Sequence, residues 1–354
     1  MKILYVAIKY DYGKPEKGYS SHHYNFYSAL AKMGGGGNDV IYFPYDEVML
    51  KFGREEMNKN LLDTVFQQKP DLVFCLIGDD AIRKETMGEI TKAGITTINW
   101  CADDHWKFYN YTKYWLPYYT WQVTTDPDML PEYEKVGYKN VILSQWACDH
   151  FTYKPQNLPK IYDVTFVGAA HGTRKKMVEK LKKAGIEVLC WGAGWPKGRV
   201  SQEDMLKIWA QSKINLNFAK SSGVLWKELA SIFLRRRYDD KIVPTNPKYW
   251  SANAKTAFAS LTKNQIKGRN FEVPGCKTFF LTEYVRHLED YYEIGREIEY
   301  FRNIPELIEK IKYYLVNEKE REFIAQAGYE RTIKEHTFEK RFNEIFKIMG
   351  LSKQ

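Results

Sequence analysis

Lys267-Gly268-Arg269 stands just ahead of Asn270–Val273, a stretch that reads as the start of a helix. Cations fixed at such a place suit a phosphate-bearing ligand. An arginine holds two phosphate oxygens with its planar fork, a lysine supplies a point charge, and helix N-terminal amides add donors. A solvated charge cluster would look the same in sequence, and Glu272 in that first turn could be a carboxylate favoured by the helix dipole. Gly168 ends an apolar run, where a missing Cβ lets the backbone approach an anion or simply makes a turn. His171 and Arg174 follow closely enough to reach a ligand held there. Asp103, Asp104 and His105 form a second group behind another apolar run. A carboxylate or imidazole at a strand end can take a proton from an attacking group, although aspartates there also cap turns. Asp79-Asp80 is the second-choice pair. His22-His23 reads as a helix start. Asp126-Pro127-Asp128 has the Asp-x-Asp spacing of a metal site, but between a strand and a helix it reads as an N-cap.

The elements that carry these residues alternate. Lys2–Ile8, Val40–Phe43, Pro70–Ile77, Ile95–Trp100, Trp121–Thr125 and Val141–Ser144 are short apolar runs that read as buried strands, with helical patterns between most of them. One helix is expected over Ser21–Met33, stopped by the glycines at 34–37. After the linker-like Tyr153–Pro159 the rhythm restarts with strands Tyr162–Gly168, Glu187–Trp191, Ile214–Phe218 and Thr278–Thr282. Trp191-Gly192-Ala193-Gly194-Trp195 could wall a nucleobase or hold a core tryptophan. Helices are expected over Thr173–Ala184, Gln202–Gln211, 304–316 and Phe338–Met349, the last with Thr337 as N-cap. This alternation predicts an α/β protein with two Rossmann-like, doubly wound parallel sheets, over 1–150 and 151–335, and a terminal helix in 336–354. Ligands of such sheets sit beyond the carboxyl ends of the strands, where loops 9–19, 78–80 and 101–107 fall. Residues 220–266 break the rhythm and read as an insertion with its own helix.

The 354 residues carry a net charge of +9, which suits a polyanionic partner: a nucleotide diphosphate, an anionic membrane face or a nucleic acid. No helix-turn-helix signature or paired Cys/His motif supports nucleic-acid binding. The five cysteines are scattered without a C-x-x-C pair, which argues against zinc and a disulfide framework and for a reducing compartment. No apolar run approaches the roughly 20 residues of a membrane span, and the opening apolar run is too short for a signal peptide. A cytoplasmic protein is the expectation.

Several motifs together carry a family resemblance. Asp163–Gly168 with Arg174, Lys267–Cys276, Phe280–Glu283 and His336–Arg341 resemble, in order and spacing, the CgeB-like spore-maturation type of glycosyltransferase. The resemblance covers roughly 155–345 well. Over 1–150 only Asp103-Asp104 and Leu143–Pro155 are similar. It implies a GT-B fold, two Rossmann-like domains facing across a cleft, with the terminal helix packed back on the first. It implies transfer of a sugar from a nucleotide-diphosphate donor to a surface glycan, a lipid-linked glycan or a protein, without a cofactor or metal. The donor contacts it implies are Gly168, His171, Arg174, Lys267, Arg269, Phe271 and Glu272, with Glu272 on the ribose hydroxyls. Asp103, Asp104 or His105 would supply the base if the reaction inverts. Retaining members often carry an acid eight positions before that glutamate; here Asn264 stands there, so retention and inversion both stay open. Two rivals remain, a basic nucleic-acid-binding protein, suggested by the charge and Arg235-Arg236-Arg237, and an inactive sugar-nucleotide binder of the same fold. The basic surface could also touch an anionic membrane from the inner face.

Overall fold

The structure, a computed structural model, describes every residue except 37, 220–224, 238 and 352–354. In chain order the strands are β1 (Lys2–Ala7), β2 (Asp39–Pro44), β3 (Leu72–Cys75), β4 (Thr96–Cys101), β5 (Trp121–Thr124) and β6 (Val141–Leu143). Then come β7 (Tyr162–Val167), β8 (Leu189–Trp191), β9 (Ser212–Asn217), the short β10 (Leu234–Arg236) and β11 (Ile242–Pro244), and β12 (Phe280–Glu283) and β13 (Glu299–Phe301). They belong to two compact units. One holds Met1–Gln145, Leu225–Ser260 and Arg341–Gln354, the other Trp146–Val224 and Leu261–Lys340. The segment read as an insertion in the second half therefore packs largely with the first unit, which changes the boundaries expected from sequence.

The first unit is built on a six-stranded sheet in the order β2-β1-β3-β4-β5-β6, every pairing parallel. Strands buried on both faces explain the unbroken apolar runs: Ile3 to Ala7 of β1 are all buried. The chain leaves β1 in one direction and returns on the other side as β3, so the switch point lies between these two strands. There Asp46 accepts the backbone N–H groups of Lys9 and Tyr10 at 2.8 and 2.9 Å, fixing the loop after β1. The expected helix over Ser21–Met33 starts with a wider π-wound turn, His22–Tyr27, continues as an α-helix, and leaves helical geometry at Met33 and Gly34. Helices Leu225–Phe233 and Trp250–Thr262 flank the β10–β11 hairpin. Side chains tie this segment in: Asn110 Nδ2 donates to Asn253 at 3.1 Å, and the Tyr114 and Tyr249 rings meet edge to face at 5.5 Å. In the terminal helix Phe338–Ile348, the ring of Phe342 packs against Phe74, Phe26 and Trp100 at 5.6, 6.0 and 6.4 Å.

The second unit has a five-stranded sheet, β13-β12-β9-β7-β8, again wholly parallel. Its switch point lies between β7 and β9. Val164, Phe166, Ile214, Leu216, Phe279 and Leu281 form the core on the sheet. Helix Glu318–Glu335 has too few apolar positions to announce itself in sequence; it buries Arg321, whose Nη1 donates to the Tyr314 carbonyl at 2.6 Å.

Candidate functional site

At the switch point of the second unit, β7 runs out at Gly168 and β9 at Phe218. Arg174, the first residue of helix Arg174–Lys183, joins them: Nη1 donates to the Ala169 carbonyl at 2.8 Å and Nη2 to the Phe218 carbonyl at 2.7 Å. The guanidinium lies over the Phe166 ring, 5.4 Å from its centroid. Burial lowers its proton affinity; Glu283, at the end of β12, opposes that, and nearby Arg269 reinforces it. An arginine keeps its charge regardless. Arg174 thus has a bracing role the sequence did not suggest, with further N–H donors left for a ligand.

Gly168 is a glycine for a packing reason as well. A Cβ there would lie 2.8 Å from Cζ of Phe166. Trp195 folds over the same point, donating from Nε1 to the Gly168 carbonyl at 2.9 Å, and Gly192 presses so close that its Cβ would meet that oxygen at 2.3 Å. His171 stands exposed in the turn between β7 and the Arg174 helix.

Arg269 opens a seven-residue helix, Arg269–Gly275. Its Nη1 forms a close ion pair with Glu272, whose side chain is only 4% exposed, and its guanidinium stacks over Trp209 at 4.8 Å. Burial works against the Arg269 charge, but Glu272 outweighs it and holds the proton more firmly than usual. Gly268 makes room for this pair: a Cβ there would sit 2.7 Å from Oε1 of Glu272. The amides at the helix start are engaged, Asn270 with the Lys267 carbonyl and both Phe271 and Glu272 with Gly268, all at 2.9 Å. These three amides are therefore spent within the turn itself. Lys267 is placed by its own N–H, which donates to Oδ1 of Asn270 at 3.1 Å. Phe271 is fully buried, with its ring against Tyr291, Tyr292 and His336.

In the first unit the three proton-transfer candidates separate. Asp104 is completely buried, and its carboxylate accepts hydroxyl donors from Thr112 at 2.6 Å and, closer still, from Tyr133. Burial raises its pKa while these hydrogen bonds oppose the shift. His105 is buried beside it. Asp103 is 38% exposed and lies 3.6 Å from Nζ of Lys107. His22, which reads from sequence as no more than a helix start, belongs with Asp103. Burial depresses its pKa to about 4, with Asp103 and Asp11 pulling the other way. The signal that could have found it is its place in a π-wound turn, a feature common at functional sites. Asp79 is tied up by Tyr45 and the Ala81 amide. Asp126 accepts from the Asp128 amide at 3.0 Å, as its reading as an N-cap requires. Among the described residues no group of three or more His, Cys, Asp or Glu could hold a metal ion, the five cysteines are free and buried, and no helix is long and apolar enough to cross a membrane.

Two doubly wound parallel units constitute the GT-B architecture. Solved structures share it over nearly the whole chain. HepE from Anabaena in complex with UDP-glucose is 9% identical, with a TM-score of 0.61 and 99% of each chain covered. A sucrose-phosphate synthase from Thermosynechococcus elongatus is 11% identical, with a TM-score of 0.59, covering 99% of this chain and 97% of its own. The lipopolysaccharide outer core galactosyltransferase WaaB is 11% identical, with a TM-score of 0.54 and coverage of 99% and 100%. These likenesses define the fold. Residues 174–347 match the family model described as glycosyl transferase-like, which identifies that part of the chain as a glycosyltransferase domain. No curated protein matches the chain in sequence.

Proposed function

We propose that the chain moves a sugar from a nucleotide-diphosphate donor, UDP- or dTDP-type, to a hydroxyl acceptor on a glycan, a lipid-linked glycan or a protein, and that it is of the CgeB-like type. The observation that carries this reading is Arg174, held at the carboxyl ends of β7 and β9 by the Ala169 and Phe218 carbonyls and within electrostatic reach of Arg269. Two half-buried guanidinium groups suit the charge that builds on a departing diphosphate, with Lys267 and His171 completing the hold, so the transfer is metal-independent. Glu272 orients Arg269 and accepts the ribose hydroxyls. Structures of HepE with UDP and with UDP-glucose support the donor class. Asp103, with neutral His22 beside it, takes the acceptor proton; Asp104 and His105 hold the loop. The protein works in the cytoplasm, and its basic surface meets an anionic membrane face when the acceptor is lipid-linked.

Calorimetric titration with UDP tests the donor site. A charge-assisted hydrogen bond is worth about 1.5–3 kcal/mol, so Arg269→Ala weakens binding roughly ten- to a hundredfold, and Glu272→Ala weakens it through the loss of Arg269 positioning. Wild-type affinity in both variants would overturn the assignment.

A further inference from the structure

Helix Leu225–Phe233 shows water the side that an ordinary helix buries. Leu225, Trp226, Leu229 and Phe233 are 61, 66, 51 and 49% exposed. Their spacing puts all four on one face, while Glu228, Ala230 and Ile232 are the half-buried positions. The helix is nonetheless well fixed. Thr245 donates its N–H to the Phe233 carbonyl at 2.7 Å, Asn253 caps the Ile232 carbonyl at 3.0 Å, and the Trp250 ring meets Phe233 edge-on at 5.0 Å. The adjoining hairpin continues the surface. Leu234, Arg236, Ile242 and Pro244 are all exposed, and the β10–β11 register sets them on one face.

Charge says what this apolar surface meets. Between 225 and 260 there are seven Lys and Arg against three Asp and Glu. Lys227 stands beside Trp226, its Nζ 5.4 Å from the ring centroid, and Arg236 sits on the exposed hairpin face with its side chain 64% exposed. A second copy of the chain would set cations against cations in a symmetric contact. Nucleic acid would use the cations but leave the Trp–Leu–Phe face in water. A bilayer with anionic headgroups satisfies both halves: the apolar face enters the headgroup boundary while Lys and Arg meet lipid phosphates.

We propose that helix Leu225–Phe233 and the β10–β11 hairpin form the docking surface on an anionic lipid membrane, which deepens the membrane contact named above. Its failure is separable from that of the donor site, because vesicle binding needs no nucleotide.

The test is co-sedimentation of the full chain with vesicles of equal phosphatidylglycerol and phosphatidylcholine, beside vesicles of phosphatidylcholine alone. The wild type sediments with the anionic vesicles only, and salt releases it. Trp226→Ser with Leu229→Ser abolishes sedimentation. Lys227→Gln and Arg236→Gln each weaken it about fivefold. The melting temperature and the urea unfolding midpoint stay at the wild-type values in all four substitutions, which shows that the first unit, to which 225–260 belongs, stays folded. The proposal is overturned if the wild type stays in the supernatant at low salt, if the Trp226/Leu229 variant sediments like wild type, or if these substitutions instead split a dimer seen by light scattering.

Discussion

Replacing His22 by glutamine should remove a large part of the protein's sensitivity to mild acid. In the folded chain burial lowers the imidazole pKa to about 4, from an ordinary value of 6.5. Above 6.5 the ring is neutral in both folded and unfolded chains and costs nothing. As pH falls from 6.5 towards 4, the unfolded chain takes up the proton while the folded one resists, so stability drains away across that window. A tenfold difference in proton affinity between the two states is worth about 1.4 kcal/mol, which gives a loss of about 2.5 kcal/mol by about pH 4.5. The ring keeps some solvent contact, and screening trims this to about 2 kcal/mol. His22→Gln cannot titrate. Urea unfolding of wild type and variant at about pH 7 and about pH 4.5 isolates the histidine, because the other titrating groups cancel in the difference. The wild type should lose about 2 kcal/mol more than the variant. Parallel losses would refute the picture of a buried neutral imidazole beside Asp103.

Other substitutions divide chemistry from architecture. Asp103→Asn should lower turnover and leave the melting temperature in place. Asp104→Asn should lower stability by about 1–3 kcal/mol, because its amide would face hydroxyl donors; a variant that melts like wild type would return Asp104 to the list of bases. Arg174→Lys gives up the double bridge between the ends of β7 and β9 and should cost about 1–3 kcal/mol along with UDP affinity, seen by melting and calorimetry together. Gly328→Ala would place a Cβ 2.2 Å from the Glu297 carbonyl oxygen. Backbone there cannot yield cheaply, so a loss of about 3 kcal/mol or an insoluble chain is expected, and an unchanged melt would show that the two segments can part. Phe342→Ala should cost about 3–5 kcal/mol in urea unfolding.

Much of the fold could be read before any coordinates. Strands buried on both faces leave continuous apolar runs, and β1, β4 and β7 lie within a residue or two of where those runs put them. What stayed hidden depends on contacts between distant residues. Nothing local in Asn253 or Tyr249 says that they meet Asn110 and Tyr114, so residues 225–260 could not be assigned to the first unit. The candidate site was legible in part for the same reason. The glycines and cations near the ends of β7 and β9 stand out by type and position. That Arg174 spends two donors on backbone, that the Arg269 turn has no free amide to offer at Asn270, Phe271 or Glu272, or that Asp104 is sealed while Asp103 is open are all properties of packing.

The route of the chain has a consequence for how the protein comes off the ribosome. The first unit opens at Met1 yet includes Arg341–Gln354, and Phe342 completes an aromatic cluster with Phe26, Phe74 and Trp100. That cluster must wait, incomplete, while the whole stretch from Trp100 to Phe342 is made. Synthesis order and folding order therefore part company here. The sheet of the first unit can form early, but its last hydrophobic piece arrives only after the whole second unit has been made. A nascent chain stalled before Arg341 would carry that gap open to solvent, and a chaperone that binds exposed aromatics would find it there.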